Sequence, residues 1–327
     1  MPIKKTLSIL IKIVIVFFSF FFIYNELLYN DNLGNIRFDS ILTVLKENYF
    51  TISVVVFMMF INWLVESLKW RFMISKIEDI SIFTSLRAIF SGITVSSFTP
   101  NRVGEYGGRV FCLEKSDRIQ AVFITVLCSM AQLLTTILFG SISFFILHEN
   151  FLQDNSMLLF FNIKISSFSF LLLLFFNFLF LFFYFNASLL VKYISKYKYF
   201  KFLDKYINVI SLYTRKELMI ALLYSVLRYL IFSSQFLILL HVFEVDINFF
   251  QSILSVMIVF FFITLTPTIT IAEIGVRGSV ALLVFMKFSS NVIGILSSAF
   301  LLWVINLIIP AIIGSFFIFS LKFFRKS

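Results

Sequence analysis

Apolar residues fall in long runs with few charges at about 6–25, 49–68, 119–147, 160–185, 218–241 and 291–320. A helix needs about 20 such residues to cross a bilayer, so each run predicts a full span. The last carries Pro310 and is expected to kink there. Two further runs, 84–113 and 249–288, are interrupted by the polar stretches "SSFTPNRVGEYGGRVF" (96–111) and "LTPTITIAEIGVRGS" (265–279). In lipid every backbone N–H and C=O needs a partner, so such breaks survive only inside protein or beside a polar cavity. Both are read as re-entrant hairpins of two half-helices. The pattern therefore predicts an all-α polytopic membrane protein, with six full spans and two broken hairpins in one membrane domain, 1–327.

The two interruptions resemble each other. Thr99-Pro100 precedes Glu105-Tyr106-Gly107-Gly108-Arg109, and Thr266-Pro267 precedes Glu273-Ile274-Gly275-Val276-Arg277. Ten Glu, ten Gly and ten Arg would produce Glu-x-Gly-x-Arg about 0.01 times by chance in a chain this long, and it occurs twice. Three full spans separate the copies, so the hairpins are expected to enter from opposite faces as an inverted repeat, with halves at about 49–147 and 218–320. Broken helices meeting near the midplane are a transporter architecture. Thr-Pro reads as a helix start, with Thr as N-cap and Pro in the first turn. Gly104, Gly107, Gly108, Gly275 and Gly278 are expected to permit sharp turns and close backbone approach. Glu and Arg four residues apart pair on one helical face. Each charge near the bilayer centre costs about 2.5–3.5 kcal/mol, which favours a functional polar cavity over two decorative pairs. The plainer alternative is that the pairs only pin the hairpins together.

Loop charge sets the expected orientation. The N-terminus carries Lys4 and Lys5, segment 69–87 has four basic residues against two acidic, and 186–217 has seven against two. The alternate loops are poorer, with two basic and four acidic residues in 26–48. The excess of Lys and Arg on one side predicts both termini cytoplasmic, in the cell (inner) membrane. Segment 187–212 interleaves lysines with Tyr and Phe and reads as a helix lying in the cytoplasmic interface, or as an ordinary basic loop.

Hydrophobic residues make up 60% of the 327 and charged ones 13%, which excludes a soluble domain. The net charge of +10 is assigned to cytoplasmic loops and not to nucleic-acid binding. Two Cys and two His without ligand spacing assign no metal, no cofactor and no catalytic residue. Arg228 lies mid-span and is read as a site neighbour, against snorkelling or a structural pair. Asn62, Gln132, Asn177, Gln235 and Asn306 are read as interhelical hydrogen-bonders. Glu66 and Lys69 are expected to pair at the membrane interface between the anchoring Trp63 and Trp70, and Arg118 to sit in a solvated loop.

"TPNRVGEYGGR", the upstream "SLKWRF" and the later "TP…E.GVRG" resemble the membrane region of lysylphosphatidylglycerol synthase/flippase proteins. The resemblance covers nearly the whole chain and implies lipid handling without the aminoacyl-transfer domain found in full-length members. The leading expectation is a flippase or scramblase of a phosphate-bearing or polyprenyl-linked lipid. Its substrate-binding residues would be Thr99, Pro100, Arg102, Glu105, Arg109, Arg228, Thr266, Pro267, Glu273 and Arg277. Expected partners are membrane lipids with an anionic headgroup, and a glycosyltransferase or lipid-modifying enzyme. Two alternatives stay open: a membrane-embedded transferase acting on a lipid-linked sugar, and a non-catalytic partner of a glycosyltransferase.

Overall fold

The computed structural model describes residues 38–99, 102–152, 167–194, 204–266 and 273–319, with Leu10, Ile13 and Phe17. Apart from those three residues, the expected span at 6–25 lies outside the described residues, as do Pro100 and Pro267 of the two breaks. All described elements are helical: α1 (Phe38–Glu47), α2 (Tyr49–Ile74), α3 (Ile82–Ser96), α4 (Gly104–Val110), α5 (Arg118–Leu152), α6 (Ser167–Phe185), α7 (Ala187–Ile194), α8 (Asp204–Ile207), α9 (Arg215–Val242), α10 (Phe249–Leu265), α11 (Glu273–Phe285), α12 (Val292–Trp303) and α13 (Ile309–Ile318). Four helical stretches among them are long and apolar enough to cross a membrane: 49–74, 118–147, 215–242 and 292–318. A fifth is made by α6 and α7 if they are one span, and the chain bends there by 78°.

Helix starts follow local chemistry. Ser81 caps α3 by accepting from the Thr84 N–H, and Thr214 with Glu217 forms a capping box at α9. The expected kink at Pro310 takes another form. Val304–Ile308 makes one π-helical turn that joins α12 to α13, with Pro310 in the first turn beyond it. A proline lacks the N–H and crowds the carbonyl four residues back, and the wider turn accommodates both defects without ending the span.

One order of elements occurs twice: long helix, two short helices, long helix, as α2–α3–α4–α5 and as α9–α10–α11–α12/α13. The long helices α2 and α9 pack on each other, α3 packs on α13, and α10 packs on α5. Exchanging the two runs maps this set of contacts onto itself. Both short-helix contacts need a glycine on the long partner. A Cβ on Gly314 would strike the Phe90 carbonyl, and one on Gly140 would strike the Phe261 side chain. Thr94 Oγ1 adds a hydrogen bond to the Ala311 carbonyl at 2.8 Å.

Each run also ties its first connecting loop to its third. In the first run the Glu78 carboxylate accepts from the backbone N–H groups of Glu114, Lys115 and Ser116 at 2.8–3.0 Å. In the second, Asn291 Nδ2 donates to the carbonyls of Phe243 and Glu244 at 3.0 and 3.1 Å. Partial burial works to raise the Glu78 pKa, but the hydrogen bonds, led by that from Ser116, outweigh it and hold the carboxyl below its usual range.

Candidate functional site

The long helix α2 places Asn62, Glu66 and Lys69 on one face, at spacings of four and three. This face meets α9, α5 and the first broken stretch around a cavity of about 360 Å³. Its lining includes Glu66 and Lys69 from α2, Arg102 and Glu105 and Arg109 from the first break, Arg228 from α9, and Arg277 from α11. Gln132 and Thr136 of α5 and Asn306 of the π turn complete the polar wall.

Glu66 is the hub. Its carboxylate accepts from Lys69 Nζ at 2.7 Å, Arg109 at 2.9 Å and Arg228 at 3.0 Å, and it is 3% exposed. Lys69 also donates to Ser225 Oγ at 3.2 Å. Arg228 donates through Nε to Asn62 Oδ1 at 3.2 Å, and its guanidinium lies 4.6 Å from the centre of the Trp63 ring. Asn62 in turn donates to Asn306 Oδ1 at 3.4 Å. Arg109 completes its pairing with Glu105, four residues earlier on α4.

A second cluster joins the two breaks. Glu273 accepts from Arg277 at 2.7 Å and from Arg102 at 2.8 Å, although Arg102 is 171 residues away in sequence. Arg102 lies between α3 and α4, with φ +56°. That left-handed conformation is uncommon for a residue with a Cβ, and it occurs most often where the surroundings impose it. The five cations Lys69, Arg102, Arg109, Arg228 and Arg277 face three carboxylates, Glu66, Glu105 and Glu273. The excess among these eight side chains is two positive charges.

Five lining residues carry a buried polar atom without a hydrogen-bond partner among the described residues: Arg109 Nε, Trp63 Nε1, Trp303 Nε1, Gln132 Oε1 and Tyr229 Oη. Buried polar groups are satisfied as a rule, so these atoms need partners from whatever fills the cavity. Among the described residues no three His, Cys, Asp or Glu side chains gather as a metal site.

A family model, that of the lysylphosphatidylglycerol synthase TM region, matches residues 7–314. The chain belongs to that family. Family membership and the set of spanning helices together make it a multi-pass membrane protein. No curated protein and no solved structure matches the chain.

In this lysylphosphatidylglycerol synthase TM region, the residues singled out by the sequence divide three ways. Arg102, Glu105, Arg109, Arg228 and Arg277 line the cavity, and Glu273 sits behind Arg102 and Arg277. Thr99 and Thr266 do not line it. Pro100 lies outside the described residues, and α4 begins at Gly104. Thr99 Oγ1 accepts from the Gly104 N–H at 2.9 Å. Thr266 ends α10 and donates to the Phe262 carbonyl at 2.8 Å.

The glycines serve packing and not the turn, since no described glycine has positive φ. A Cβ on Gly108 would come within 2.6 Å of the Gly92 Cα, so α3 and α4 touch backbone to backbone. Gly104 is pressed against Thr99 and Val95, Gly107 meets only the Phe111 ring, and Gly275 and Gly278 lie on α11.

Glu66 and Lys69 do pair, but inside the bundle and not beside exposed, anchoring tryptophans. Both are buried, as are Trp63 and Trp70, and Trp70 Nε1 donates to Thr125 Oγ1 at 3.0 Å. The reason is that the face of α2 bearing them turns toward α9 and α5. Arg118 is likewise not in a solvated loop: it opens α5, half-buried, with its guanidinium 4.8 Å from the Phe111 ring centre. Interhelical hydrogen bonds are present for Asn62, Asn306, Asn177 and Gln235.

Proposed function

We propose that this protein moves a lipid with a phosphate-bearing headgroup between the two leaflets, with the 360 Å³ cavity as the headgroup site. The observation that carries this reading is the excess of two cations buried among helices built to cross a membrane. Charge at that depth is retained where it serves a substrate, and guanidinium groups match phosphate oxygens in pairs. Arg102, Arg228 and Arg277 are the most open of the five cations and would take the phosphate, while Glu273 releases Arg102 as it binds. A polyprenyl-linked or glycerol-based lipid would satisfy the same site.

The repeated element order and the self-mapping contacts support an inverted repeat, in which the two hairpins approach the site from opposite faces. The Lys/Arg asymmetry of the loops supports cytoplasmic termini. Transport is favoured over group transfer because Glu66, Glu105 and Glu273 each accept from arginine and so belong to the cation cluster that would bind a headgroup.

The test is reconstitution into vesicles with headgroup-labelled phospholipid or polyprenyl phosphate in one leaflet. Wild-type protein should equilibrate the label, and Arg228→Gln and Arg277→Gln should slow it while remaining folded. Equal rates with all three proteins, at equal insertion, would defeat the reading. A chemically altered lipid after incubation would point to a transferase.

A further inference from the structure

We propose a second lipid site on the outer face of the bundle, a groove between α6 and α9 that holds an anionic phospholipid. The groove has a volume of about 680 Å³ and shares no lining residue with the central cavity. That volume lies within the roughly 300–1,000 Å³ usual for ligand sites. Its walls are apolar and open to lipid, with Phe178 and Phe182 of α6 facing Met219 and Ile220 of α9. Arg215 and Lys216, both exposed, close one end.

The groove exists because the chain turns by 78° after α6. At the bend, Asn186 Oδ1 accepts from Arg215 at 2.6 Å, which holds the guanidinium at the mouth. The nearest carboxylate cannot neutralise these cations. Glu217 is already held by its capping box with Thr214 and by Lys76 at 2.6 Å. Among the described ion pairs neither Arg215 nor Lys216 takes part.

An apolar channel ending in two cations without a counter-charge fits one occupant. An acyl chain lies along the phenylalanines, and a headgroup phosphate sits on Arg215 and Lys216. Lys192 and Lys205 also lie near this end in sequence but outside the groove lining, which makes them controls.

Purified full-length protein in dodecyl maltoside is titrated with phosphatidylglycerol, with phosphatidylcholine in parallel, and thermal unfolding is followed. Phosphatidylglycerol should raise the unfolding temperature more than phosphatidylcholine. Arg215→Gln with Lys216→Gln should weaken that apparent affinity about tenfold, as expected for two interfacial cations. Lys192→Gln with Lys205→Gln should leave it unchanged. Neither double substitution touches the central cavity, so the difference between them reports on the groove alone. The proposal is overturned if the first pair keeps wild-type affinity, or if the second loses as much. It is also overturned if glycerol 3-phosphate, which lacks the acyl chains, protects as well as the lipid.

Discussion

The two Glu-x-Gly-x-Arg copies carry the same internal pair and are wired differently. In the first, the arginine finds a second carboxylate: Arg109 reaches Glu66 as well as Glu105 and is 2% exposed. In the second, the carboxylate finds a second cation: Glu273 holds both Arg277 and Arg102, whose side chains are 16% and 37% exposed. A repeated pair is therefore only two-thirds of each arrangement, and the third member decides its use. Arg109 is locked into the bundle, while Arg102 and Arg277 remain open to a ligand.

That contrast predicts a graded set of effects. Glu66→Gln should be the most damaging, because three cations, two of them fully buried, lose their common anion. A loss of about 3–5 kcal/mol is expected, seen as failure to recover monodisperse protein in detergent. Normal recovery would mean the hub is not structural. Arg109→Gln should follow, at about 3 kcal/mol in thermal unfolding. Arg277→Gln should cost about 1 kcal/mol and yet slow lipid movement in vesicles. If both arginines behave alike in the two assays, the distinction between locked and open copies fails.

Arg102 allows a finer separation, since its backbone and side chain do different things. Arg102→Gly should be more stable than Arg102→Ala by about 1 kcal/mol, because the left-handed backbone suits glycine. Both should slow transport equally if the guanidinium is what the ligand needs. Equal stability of the two variants would remove the backbone term.

The smallest effects belong to the loop ties. Glu78→Gln and Asn291→Ala should each cost about 1 kcal/mol, and Lys115→Ala, exposed, less than about 0.5 kcal/mol. The two ties differ in pH response. The folded-state pKa of Glu78 is held below its ordinary 4.5, so its contribution is full above that value and fades as pH falls through the lower, folded one. Asn291 does not titrate. Acid should therefore loosen the first loop tie before the second, measurable as hydrogen exchange at the 114–116 amides against Gly294, whose N–H donates to Asn291 Oδ1.

The breaks were legible in the sequence because proline, glycine and charge stand out against apolar surroundings, and the Glu–Arg pairs because four residues is one helical turn. Their third partners were not legible. Arg102 meets Glu273 only through the fold, and nothing local in either stretch announces it. Glu66 and Lys69 were visible as charges in an apolar helix, but the flanking Trp63 and Trp70 pointed to the interface. The better signal was the file Asn62, Glu66, Lys69 on one face of a span, since a polar stripe has to face something polar. Pro310 was a similar case: the defect was plain, and the π turn that absorbs it was not.

The packing of α3 on α13, through Gly314 and the Thr94–Ala311 hydrogen bond, bears on the order in which the protein is made. About 210 residues separate α3 from α13, so at roughly 5–20 residues per second the ribosome delivers that partner some 10–40 s later. During this interval Glu66, Glu105, Lys69 and Arg109, all upstream, already sum to zero charge and can pair among themselves. The nascent first half can thus wait in the membrane without exposing a net charge among those four. Chains arrested after Leu152 should then be retained in the bilayer, and the same arrested chains carrying Glu66→Gln should be extracted and degraded faster.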